Sequence, residues 1–210
     1  EWDEEEYGRL LQIAGGKERI KAYFAEHTEF QDCLRDAFIA ELHQRKTEIF
    51  LAMCMTGTLP VRSGIRRLFA EARECGLPVI VCSTSNERSV TSLVRAVFGE
   101  EYARTIRAIL AGDIVRRKKP APDIYRVASR EFGLRAEACY VIEDSRNGLL
   151  AAKGAGMACL VTPSFYSSDE DFSQADLVVT TLGDPPQDRT RVLKGPPGFP
   201  LDMDRVTVEI

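Results

Sequence analysis

The sequence predicts an α/β protein: a Rossmann-like parallel sheet core carrying a small all-helical cap. Three observations lead there. From residue 58 onward short apolar strands alternate with amphipathic helices, the pattern of a parallel sheet covered on both faces. Before that, the chain shows helical periodicity and no strand signal. Finally, three polar segments each follow an apolar strand, and open parallel sheets bind ligands at the carboxyl ends of their strands. The chain divides into a helical cap (1–57), an α/β core (58–182) and a Pro/Gly-rich C-terminal tail (183–210).

The elements follow in order. Tyr7, Leu10, Leu11 and Ala14 recur at helical spacing, and Gly15-Gly16 breaks the run. A second helix starts near Lys17 and carries Ile20, Tyr23 and Phe24. A third spans roughly 32–50, with Leu34, Phe38, Leu42 and Ile49 on one side. In the core, Ser63 is expected to cap a helix that runs to Cys75 and ends at Gly76. Residues 78–82 read as a strand, 86–98 as a helix and 107–111 as a strand. Pro122 opens a helix ended by Gly133. Strands at 139–142, 157–161 and 177–180 and a helix at 145–154 complete the core. The tail, with Pro185-Pro186 and Gly195-Pro196-Pro197-Gly198, suits neither helix nor central strand. It is expected to cross the surface and close with an edge strand at 205–210.

Bulk properties narrow the function. A chain of 210 residues, 44% hydrophobic and 29% charged, suits one domain or a core with a small cap. A net charge of -4 gives no footprint for nucleic acid. No apolar run reaches the ~20 residues of a membrane span. Six cysteines without a Cys-x-x-Cys read as thiols of a reducing compartment, not as a disulfide framework or zinc site. His27 and His43 are too few and too far apart for a histidine metal site, and read as solvated helix positions.

Chemistry concentrates in the three strand ends. Ser83 follows Val79-Ile80-Val81-Cys82; its hydroxyl and the neighbouring amides suit a phosphate oxygen, or equally a helix N-cap. Lys119 stands before Pro-Ala-Pro-Asp, where two prolines stiffen the loop presenting its ammonium; the alternative is a solvated run, Arg116 to Lys119. Glu143 and Asp144 follow Tyr-Val-Ile and precede a helix. Two carboxylates at a strand end suit a hard cation such as magnesium, and Asp144 suits an N-cap equally well.

Together these segments resemble the second, third and fourth motifs of haloacid-dehalogenase-like (HAD) phosphohydrolases. Gly15 to Arg19, Leu59 to Leu68, Lys118 to Tyr125 and Glu143 to Gly148 narrow the resemblance to the CbbY-like, phosphoglucomutase-like branch, over residues 1 to about 182. The resemblance implies a magnesium-bound aspartate that attacks a small sugar phosphate or bisphosphate, with the aspartyl-phosphate then hydrolysed. Ser83 would hold phosphoryl oxygens and Lys119 would neutralise charge. Asp144, supported by Glu143, would hold Mg2+. Thr84 and Asn147 would contact substrate. Lys17 and Arg19 would reach the distal end of the sugar from a mobile cap, or simply be solvated. Such proteins occur in bacteria and in plastids, so the expected location is plastid stroma or cytoplasm.

The family's first motif, Asp-x-Asp-Gly-Thr, is not among these residues. Cys54-Met55-Thr56-Gly57-Thr58 echoes it with both carboxylates replaced, and Gly15-Gly16-Lys17 lacks the other residues of a P-loop. The motif's strand should lie between those ending at Ser83 and Asp144, leaving a gap of roughly 9–10 Å. Either an upstream segment fills that slot or a protein partner does. Two further readings follow: a catalytically inactive HAD-like subunit acting as a binding or scaffold component, and a sugar phosphomutase.

Overall fold

The computed structural model describes residues 2–27, 35–57, 59–103 and 106–208, and the side chains of all of these except 100–103. Three helices precede the sheet: α1 (Glu4–Leu10), α2 (Gly16–Glu26) and α3 (Asp36–Met55). Asp3 caps α1 by accepting from the Glu6 amide at 2.8 Å. Gly15, at φ 95°, makes the turn into α2. The expected start of the third helix, with Cys33 and Leu34, lies outside the described residues.

The core runs α4 (Ile65–Glu74), β1 (Val79–Ser83), α5 (Glu87–Ala103), β2 (Ile106–Ala111), α6 (Asp123–Phe132), β3 (Tyr140–Glu143), α7 (Arg146–Gly154), β4 (Ala158–Val161) and β5 (Leu177–Val179). β1 and β2 form a parallel pair. β3, β4 and β5 form a second parallel set in that order. Among the described residues, β1 pairs only with β2 and β3 only with β4, so each keeps one ladder edge without a strand against it. That is the split expected from the sequence. Among the described residues the core holds three apolar clusters. The largest, beneath α6 and α7, holds Ile124, Leu149, Val141 and Val161. A second joins Leu68 of α4 to Val179 and Leu182. A third packs Val90 and Val94 of α5 on Ile106. Along β3, Val141 is buried while Tyr140 and Ile142 are exposed, so one face of this strand is uncovered.

Two expectations are corrected. The helix after residue 63 is capped by Gly64 in the left-handed region (φ 79°), not by Ser63. The Gly64 amide donates to Asp184 Oδ2 at 3.2 Å, a partner 120 residues away that local sequence does not reveal. The tail adds β6 (Thr190–Lys194) and β7 (Asp202–Met203), antiparallel to β5 and β6 respectively. The expected strand at 205–210 is not formed over 205–208. Val206 is nevertheless buried, and its amide donates to the Leu182 carbonyl at 2.9 Å. Among the described residues no helix is long and apolar enough to cross a membrane.

Candidate active site

Two strand ends and one stiff loop meet at the open edges of β1 and β3. Lys119 spans the two sheets. Its Nζ donates to the Cys82 carbonyl of β1 at 3.0 Å and to Glu143 Oε1 of β3 at 2.5 Å. The pair is nearly dry, with side chains 11% and 9% exposed. The Tyr125 hydroxyl, from the first turn of α6, also donates to Glu143 Oε1. Burial first, and the Glu143 charge second, push the Tyr125 phenol well above its ordinary value. The Cys82 thiol beside it is pushed up to about 11, mainly by burial. Neither group is a nucleophile at neutral pH.

Glu143 is held from a further side. A Cβ on Gly148, in the first turn of α7, would stand 2.0 Å from Glu143 Oε2, so only glycine fits there. Asp144 is different: it is exposed and lines a cleft of about 190 Å³ with Arg62, Ile142, Glu143 and Thr162. It does not cap α7. Ser145 does, its hydroxyl accepting from the Gly148 amide at 3.3 Å. Ser83 likewise caps no helix; its Oγ accepts from the Ser85 amide at 3.1 Å. Asn86 takes the capping contact at the start of α5, accepting from the Arg88 amide at 3.0 Å.

No three His, Cys, Asp or Glu side chains gather among the described residues. Magnesium keeps several waters and needs one or two protein carboxylates. Asp144, without an ion pair among the described residues and at a strand end, fits that demand. Glu143 is committed to Lys119 and Tyr125 and fits a supporting place.

The remaining predicted residues spread along the seam between helical unit and core. Thr84 lines a second cleft, with Gly16, Arg19, His43 and Lys46. Asn147 Nδ2 donates to the Gln12 carbonyl at 3.0 Å, tying α7 to the α1–α2 connection. Lys17 is exposed and stands 3.7 Å from Asp113. Arg19 is not solvated: its guanidinium donates to the Leu10 and Ile13 carbonyls at 3.0 and 3.2 Å and lies over the Tyr7 ring. Its donors thus serve the helical unit. Lys118 closes the seam, pairing with Glu18 at 2.7 Å and Asp113 at 3.0 Å.

Sequence reasoning missed Tyr125, Arg62 and His43. Tyr125 lies within the quoted Asp-Ile-Tyr wording, on the face of α6 turned to the strands, and helical spacing from Pro122 could have found it. Arg62 lies within the quoted Leu59 to Leu68 wording; it donates to the Thr162 and Pro163 carbonyls at 2.8 and 2.9 Å, and these partners, about 100 residues away, have no local signal. His43 is half-buried against Gly16, not solvated.

Comparison with known proteins identifies the family. The family model described as haloacid dehalogenase-like hydrolase matches residues 1–156. A CBBY-like protein of Arabidopsis thaliana is 47% identical over 193 residues, covering 90% of this chain and 60% of the relative, so the chain spans well under two thirds of that protein. Protein CbbY of Cereibacter sphaeroides is 43% identical over 183 residues, 87% of this chain and 78% of the relative. The crystal structure of CbbY from Rhodobacter sphaeroides with phosphate superposes with a TM-score of 0.79 at 44% identity, covering 86% of this chain and 79% of that one. A mutant of the same protein, solved with xylulose-(1,5)bisphosphate, matches equally well.

Proposed function

The chain belongs to the haloacid dehalogenase-like hydrolases, in their CbbY-like branch, and we propose that it is the cap and most of the core of a magnesium-dependent phosphatase of a small sugar phosphate or bisphosphate. One observation carries this reading: Lys119 sits between two open strand edges, bonded to the carbonyl of Cys82, the residue before Ser83, and to Glu143. A cation held there neutralises phosphoryl oxygens and an attacking carboxylate alike.

In this reading a further strand of the full-length protein enters between β1 and β3 and brings the nucleophilic aspartate. Its carboxylate displaces the sugar alkoxide from phosphorus; water then cleaves the aspartyl-phosphate, releasing inorganic phosphate. Ser83 and the amides after β1 bind phosphoryl oxygens. Asp144 holds magnesium, which when bound screens the phosphate charge, and Glu143 keeps Lys119 in place. Thr84 and Asn147 line the substrate's path at the seam. The bisphosphate is suggested by what the Rhodobacter structure holds. The 1–57, 58–182 and 183–210 division and a plastid or cytoplasmic site of action belong to the same proposal.

The test is phosphate release from sugar mono- and bisphosphates by the full-length protein with and without magnesium. Activity is expected only with the metal. Asp144→Asn and Lys119→Ala should each cost on the order of 100-fold or more in kcat. Full activity in Asp144→Asn would remove the metal role. No release from any ester would favour the inactive binding subunit.

A further inference from the structure

The Asp144 side chain is exposed, so its aim depends on how firmly its backbone is held. That backbone is gripped by Ser164 to Glu170, the segment that follows β4. β4 runs parallel to β3 with Val161 opposite Glu143, so the segment leaves the sheet beside the Asp144 turn. A 3₁₀ turn at Phe165–Ser167 then brings Ser167 inward, where it is 4% exposed. The Ser167 hydroxyl accepts from the Ser164 amide at 2.8 Å. Its one proton goes to the Asp144 carbonyl at 2.5 Å, since the competing Ser164 carbonyl stands 3.5 Å away.

Glu170, three residues on, grips the same turn from its other end. Its Oε2 accepts from the Arg146 amide at 2.5 Å, and its Oε1 from Gln12 Nε2 at 2.8 Å. Arg146 opens α7, so its amide has no partner within the helix. The positive end of a helix dipole repels a cation, and Asp144 lies only two residues before that end. The Glu170 carboxylate sets a full negative charge on the helix start and offsets the repulsion. Outside the turn, the Tyr166 ring meets the Tyr7 ring edge-on at 5.6 Å, which pins the far side of the segment. Residues 144, 145 and 146 are thus anchored one after another, by Ser167, by the Ser145 cap and by Glu170. Such outer partners orient a metal's carboxylate and tune its affinity.

We infer that Ser167 and Glu170 are positioning residues for Asp144, and that together they set how tightly the site holds its divalent cation. The inference rests on the metal role given to Asp144 under the phosphatase reading. Ser167 acts through geometry, by fixing the Asp144 carbonyl. Glu170 acts through charge, by quenching the start of α7. Neither touches substrate, so both act on the metal's affinity and not on the chemical step once the metal is bound.

Two measurements on the full-length protein test this. The first needs no turnover: the Kd for Mn2+, which takes the same oxygen ligands as magnesium and is counted as free ion by electron paramagnetic resonance. Ser167→Ala should raise that Kd about 10–100-fold. Glu170→Gln keeps an acceptor for the Arg146 amide and removes the charge, so it should raise Kd about 2–5-fold. Asp169→Asn, at an exposed carboxylate of the same segment, should leave Kd unchanged. The second measurement is phosphate release against magnesium concentration. Both variants should need more magnesium for half their maximal rate and reach the parent kcat at saturation. A merely structural defect would lower kcat at every concentration and overturn the inference. So would a Kd unchanged in both variants, with the phosphatase reading left intact. An equal rise in Asp169→Asn would reduce Glu170 to general surface charge and overturn its role. If Ser167→Ala does not fold, Glu170→Gln, at a partly exposed position, decides alone. A full-length protein that binds no Mn2+ would overturn the metal role of Asp144 and this inference together.

Discussion

Glu143 and Lys119 make one charged pair from two sheets, and its cost and worth can be weighed. Each would be expensive alone at about a tenth exposed. Removing one partner of such a pair costs about 3–5 kcal/mol, because the other charge stays buried without its counter-ion. Lys119→Met is therefore expected to lower unfolding stability by about that amount, measured by urea titration. The double variant Lys119→Met/Glu143→Gln should recover most of the loss, since Tyr125 can still donate to the amide oxygen. If the two single changes simply added, the pair would not be coupled. Of these residues, sequence made the charged two visible as a lysine before two prolines and a carboxylate at a strand end. Their union was not visible, because it joins positions 24 apart in the chain through folding of all that lies between.

At the scale of elements, α2 is latched to the core by Lys118, which pairs with Glu18 and Asp113. Burial raises the Glu18 pKa, but the Lys118 hydrogen bond and charge outweigh it and the net direction is down. Asp113 is lowered by the Lys118 hydrogen bond and charge. Burial lowers the Lys118 pKa, and its two carboxylate bonds raise it further than that. Depressed carboxylates contribute stability above their unfolded values, and lose it as pH falls through the folded ones; a raised lysine loses its share only at strongly alkaline pH. The latch should thus be constant through neutrality and open below the ordinary carboxylate values of 4.5 and 3.8. Hydrogen exchange should show α2 losing protection before α6 and α7 on acidification. Simultaneous loss would refute a separate latch. The helices and strands themselves were legible to within a residue or two wherever apolar period and a nearby glycine or serine agreed, as at Pro122 to Gly133. They were illegible where a distant partner decided the outcome. Gly64 displaces Ser63 as cap because Asp184 reaches its amide. β6 hides in the tail because Thr-Arg-Val-Leu-Lys is short and half charged, and its strand character comes from pairing with β5.

The whole molecule depends on that pairing. Val192 and Val206 complete the cluster with Leu68, Val179 and Leu182, and Thr190 is buried with its hydroxyl donating to the Thr181 carbonyl at 3.0 Å. Deleting the chain from residue 184 should expose β5, which is buried along its whole length. The truncated protein is expected to lose cooperative thermal unfolding, followed by circular dichroism, and most of its soluble yield. A truncation melting at the parent temperature would show the tail to be dispensable.

The tail also ends the sheet. Beyond β5 the chain folds back twice, through β6 and β7, and the proline- and glycine-rich run Gly195 to Pro200 between them offers a poor template for another strand. The opposite limit, β3, is unlike it: Tyr140 and Ile142 are exposed, and among the described residues no strand pairs with its outer edge. A sheet blunted on one flank and receptive on the other adds strands in one direction. An uncovered strand flank is a template for β-pairing with another chain, so colloidal behaviour depends on how fully that flank is covered.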